Sequence, residues 1–102
     1  MALTLEAEQR LENVGLIEFF DVHKPIWLKA AQETHQFLKG NFPFDSTIRP
    51  DDVAKALRPV LEVNEELRQK LNEEKLKQKF WISDFTDLII DRTWPEINGG
   101  AL

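Results

Sequence analysis

The chain has 102 residues, no cysteine, and 13 basic against 18 acidic side chains, for a formal charge of −5. That length suits one domain; the charge excludes a generally basic, nucleic-acid-coating surface, and the missing thiols exclude disulfides, thiolate metal sites and a cysteine nucleophile. Hydrophobic residues make up 42% and include seven Phe and three Trp, enough apolar side chain to drive folding and to exclude wholesale disorder.

Prolines and glycines fall where helices should start and stop, so the pattern predicts an all-α fold, a single small irregular bundle of five or six helices over 1–97 with a flexible tail at 98–102. The first helix runs from about Thr4 to Val14, with Thr4 as N-cap, Glu6 and Glu8 near the positive end of the helix dipole, and Gly15 free to take the left-handed conformation that ends it. Leu16 then folds back onto Leu11. A short apolar turn, Ile17 to Val22, must stop before Pro25, because the residue preceding a proline is pushed out of the helical region. Pro25 opens a helix to about Lys39, and Ile26, Trp27, Ala30, Ala31, Thr34, Phe37 and Leu38 read as one buried stripe. Asn41 to Arg49, with Phe42-Pro43-Phe44 inside it, is expected as an ordered loop.

Pro50 restarts a helix with Asp51 and Asp52 in its first turn and Val53, Ala54 and Leu57 inward, and Pro59 is expected to break it at Arg58. From Pro59, the apolar positions Val60, Leu61, Leu67 and Leu71 predict an amphipathic helix whose outer face pairs opposite charges three or four residues apart. A break near Asn72 precedes the last helix, Glu73 to Arg92, which carries Phe80, Trp81, Ile82, Phe85, Leu88, Ile89 and Ile90. These positions cover more than half of the helical circumference, so this helix is expected to be the spine of the bundle, stopped by Pro95.

No segment carries catalytic machinery. The four glycines, Gly15, Gly40, Gly99 and Gly100, form no phosphate-cradling loop, and His23 and His35 lie twelve apart, a spacing that does not bring two ligands onto one helical face. Asp84, Asp87 and Asp91 do share a face and could approach a divalent cation, but a lone stripe of carboxylates more often forms the polar edge of an apolar helix. No cofactor, no metal and no enzymatic activity are therefore expected.

Two functions remain. The leading reading is a protein interaction module, a homodimer or a small accessory subunit, with Trp81, Phe85 and Trp94 as aromatic anchors and Asp84, Asp87 and Asp91 as their polar border. The alternative is a helix-turn-helix-like DNA-binding protein using the 50–79 region, with Arg58, Arg68, Lys70, Lys75, Lys77 and Lys79 on phosphates. Glu62, Glu65 and Glu66 in the first half of the would-be recognition helix weigh against it, since they repel the backbone that helix must approach. Glu6, Glu8, Arg10 and Glu12 interrupt any signal-like apolar run, and Ser83, Asp84, Thr86 and Asp87 interrupt the longest apolar stretch, so a cytoplasmic protein away from membranes is expected.

Overall fold

A computed structural model describes residues 3–41, 48–73 and 79–97, with the side chains of Glu73, Lys79 and Phe80 outside that description. The expected loop Phe42-Pro43-Phe44, the lysines Lys75 and Lys77, and the tail 98–102 lie outside the described residues. The described chain is all-α: α1 (Leu5–Asn13), α2 (Leu16–Val22), α3 (Lys24–Asn41), α4 (Pro50–Glu62), α5 (Glu65–Glu73) and α6 (Lys79–Ile97). No helix among the described residues is long and apolar enough to cross a membrane.

Local chemistry sets the first boundaries. Thr4 Oγ1 accepts from the Ala7 amide at 3.0 Å, occupying a first-turn donor that has no partner within the helix. Gly15 takes φ +80° between α1 and α2, a conformation that costs a side-chain-bearing residue strain, and it lets Leu16 turn back until both Leu16 and Leu11 are sealed from water. His23 caps α2, and its carbonyl accepts from Ile26 and Trp27 as α3 begins with Pro25 in its first turn. At the far end of α3, Asn41 Nδ2 donates to the Phe37 carbonyl at 2.7 Å.

Two proline expectations are corrected. Pro59 lies inside α4, and the break comes at Val63 and Asn64, where Asn64 Oδ1 accepts from the Leu67 amide at 2.9 Å and caps α5. A proline removes one donor and does not forbid helical φ; Pro59 and Lys55, whose carbonyl loses that donor, are both exposed, so the missing bond falls on the solvent side of the helix, where its cost is low. The same holds for Pro95 inside α6, with Asp91 four residues before it also exposed, and the helix continues to Ile97 instead of stopping at Arg92. Asn72 and Glu73 belong to α5 and do not start the last helix.

α6 is the spine, packed most extensively on α4 and α3 and also against α1. Phe85, Leu88, Ile89 and Ile90 are fully buried on it, facing Trp27 and Ala31 from α3 and Val53, Leu57 and Leu61 from α4. Its buried threonines are self-satisfied: Thr86 donates to the Ile82 carbonyl and Thr93 to the Ile89 carbonyl, each at 2.7 Å. Leu67 and Leu71 fasten α5 to the same core.

Candidate functional site

The expected carboxyl-terminal interface divides into separate environments. Phe85 is 0% exposed at the centre of the core, which corrects its assignment as a docking anchor, because a ring enclosed by its own chain has no face left for a partner. Trp81 and Trp94 are half-buried against the core, and Trp94 stands edge-on to His35 with centroids 6.1 Å apart. Burial of the His35 imidazole, reinforced by the nearby Lys39 ammonium, lowers its pKa below the ordinary 6.5.

The three aspartates of α6 also serve different neighbours. Asp84 accepts from Arg10 at 3.3 Å and, with Arg92 donating to Glu8 at 2.7 Å, ties α1 to α6. Asp87 is half-buried; its pKa is raised by burial, against the pull of the Arg58 guanidinium and with the push of Asp84 and Asp51. Asp91 is exposed. Among the described residues no three His, Asp or Glu side chains converge as a metal-binding group.

The basic residues of the alternative reading have different surroundings where they are described. Arg58 is half-buried, with Nε enclosed and without a hydrogen-bond partner among the described residues, and it acts on Asp87 of α6. Lys70 lines a polar crevice between α2 and α5 with Phe19, His23, Glu66 and Gln69. Arg68 is exposed, but so are Glu65 and Glu66 in the first turn of the same helix. Lys79 is the first residue of α6.

A separate apolar surface lies on α3 and α4. The stripe expected to be buried on α3 is two stripes offset by one residue: Trp27, Ala31, Thr34 and Leu38 face the core, while Ile26, Glu33 and Phe37 are exposed, with Ala30 between them half-buried at the edge of the core. One residue is 100° of helix, so a seven-position pattern that wide contains a second face. Phe37 is 64% exposed. Val60 on α4, at 44%, and Val63 just past the end of that helix, at 71%, are also exposed, and Ala56 is half-buried. Ala30, Glu33, Thr34 and Phe37 from α3 and Ala56 and Val60 from α4 enclose an open groove of about 360 Å³, with Glu33 as its one charged lining residue among those described. Thr34 does not make the groove polar, because its hydroxyl donates back to the Ala30 carbonyl at 2.9 Å.

Small residues form this groove because the α3–α4 packing brings Ala30 and Ala56 together where larger side chains would fill the space, leaving Phe37 and Val60 as its shoulders. The arrangement has the shape that accepts a ridge of side chains from another helix. Comparison with protein-family models, with curated proteins and with solved structures finds no match to the chain.

Proposed function

We propose that this chain is a non-catalytic protein interaction module, an accessory or regulatory subunit, that docks a helix of its partner into the α3–α4 groove. The observation that carries the reading is the exposed position of Phe37 at the edge of an apolar groove floored by alanines. An apolar side chain exposed singly is ordinary, but Phe37 and Val60 stand exposed on two packed helices around one apolar groove, an arrangement of the kind that marks an interface. The docking surface is thereby moved from the carboxyl-terminal aromatics, of which Phe85 is enclosed and Trp94 is engaged by His35.

Helix-in-groove recognition draws its affinity from a few apolar anchors and its orientation from a charged border. Here Phe37 and Val60 supply the apolar shoulders and Glu33 supplies the border charge. A photo-reactive amino acid placed at Phe37 in the full chain, expressed in its native cells, tests the assignment against the same probe at exposed Gln69 on α5. A discrete protein adduct from position 37 and none from position 69 is expected. Equal labelling from both positions, or no adduct at all, would overturn it.

A further inference from the structure

We infer that the occupant of the α3–α4 groove is a second copy of this chain, bound through an antiparallel, two-fold pairing of the α3 helices. This rests on the docking reading above and names its partner.

The stripe Ile26, Ala30, Glu33, Phe37, exposed except at half-buried Ala30, has spacings of four, three and four, the repeat that keeps a seam of side chains facing a neighbouring helix. Ile26 and Phe37 are both exposed, at 37% and 64%, at opposite ends of that seam. Folding the stripe onto its own copy with the chains antiparallel sets Ile26 against the partner's Phe37 and Ala30 against the partner's Glu33, and does so twice because a two-fold contact is self-complementary.

Charge selects this direction. Lys29 and Glu33 are both exposed, and neither takes part in an ion pair among the described residues. The centre of the Ile26–Phe37 seam falls between residues 31 and 32, so the antiparallel copy brings Lys29 and the partner's Glu33 to within about 1.5 Å of the same level along the helix axis. Two opposite-charge pairs form, one on each side of the two-fold. A parallel pairing instead sets Lys29 against Lys29 and Glu33 against Glu33, and like charges in register are unfavourable. The helix therefore carries on one face the apolar seam, the acid of the groove wall and the cation that answers it.

The experiment is sedimentation equilibrium on the purified full chain, from micromolar to near-millimolar concentration, with single and mixed charge variants. Wild type is expected to pass from the 11.9 kDa monomer to a species of twice that mass. Lys29→Glu alone and Glu33→Lys alone each place like charges in both contacts, and each is expected to weaken the dimer by about tenfold or more. Mixing the two variants restores both opposite-charge pairs in the heterodimer alone, so the mixture is expected to associate about as tightly as wild type. Phe37→Ala is expected to abolish association while melting at the same temperature as wild type at dilutions where wild type is monomeric, since the ring is mostly exposed in the single chain. A wild type that stays monomeric throughout, or a mixture no tighter than its components, would overturn the self-pairing. A monomer that still forms an in-cell adduct at position 37, of a mass other than twice the chain, would overturn only the second-copy assignment, whereas a monomer without any adduct would remove the docking reading as well.

Discussion

Trp27 and Phe85 meet edge to face, with ring centroids 5.1 Å apart, planes at 87° and neither ring open to water. Phe19 adds a third ring, 5.6 Å from Trp27 and 6.0 Å from Phe85, so this cluster joins α2, α3 and α6 at one point. Edge-to-face pairs contribute about 0.5–1.5 kcal/mol beyond the area they bury. Phe85→Ala is therefore expected to destabilise by about 3–5 kcal/mol, near the top of the range for a deleted core aromatic, and Phe85→Leu by distinctly less. Urea denaturation with an unchanged slope and a shifted midpoint is the check.

The spine helix and its anchors were legible in the sequence because an apolar pattern covering more than half a helix leaves no orientation except a central one. The caps at Thr4 and Gly15 were legible for the same local reason. The α4–α5 boundary was not, because Pro59 is a stronger helix breaker on paper than Asn64, and its cost depends on whether the orphaned carbonyl reaches water, which is a tertiary property. Asn64→Ala is accordingly expected to cost about 1 kcal/mol by removing the α5 cap. Pro59→Ala is expected to leave stability unchanged or raise it, because it restores a helix donor at an exposed position. Thermal melts of the two variants separate these outcomes, and the reverse order would contradict the assigned boundary.

The candidate site was less legible than the fold. Phe37 and Val60 belong by residue type to the core, and only the one-residue offset between the two stripes of α3 distinguishes the outward face from the inward one. Which stripe turns inward is decided by α6, whose position against α3 does not follow from the α3 sequence.

His35 makes stability depend on pH. Its folded pKa lies below 6.5, so on acidification the unfolded chain takes up a proton first, and the stability contributed by the neutral imidazole is complete above 6.5 and is lost as pH falls from there through the folded value. His35→Gln is expected to flatten this part of the profile. Denaturant midpoints measured between roughly pH 7 and 5, where ordinary carboxylates remain largely ionised, isolate the effect. A wild type and variant with parallel profiles would contradict it.

Asp87 acts with the opposite sign. Its folded pKa is raised above the ordinary 3.8 by burial, so the folded chain gives up that proton later than the unfolded one and loses stability as pH rises from 3.8 through the folded value. Asp87→Asn keeps the shape and removes the charge; it is expected to be more stable than wild type at neutral pH, with the difference vanishing at and below pH 3.8. A variant less stable at neutral pH would mean that the attraction of Arg58 outweighs the cost of burial.

Exposure of the Phe37 ring in the working cell tests the docking account most directly. Hydroxyl-radical labelling of Phe37 is compared between dilute purified protein and intact native cells, with Leu5, 80% exposed on α1, as the internal reference and Phe20, enclosed in the core, as the buried one. Phe37 is predicted to label readily in the dilute protein and to fall toward the Phe20 level in cells while Leu5 stays unchanged. Labelling of Phe37 that is the same relative to Leu5 in both settings would contradict a covered α3–α4 face.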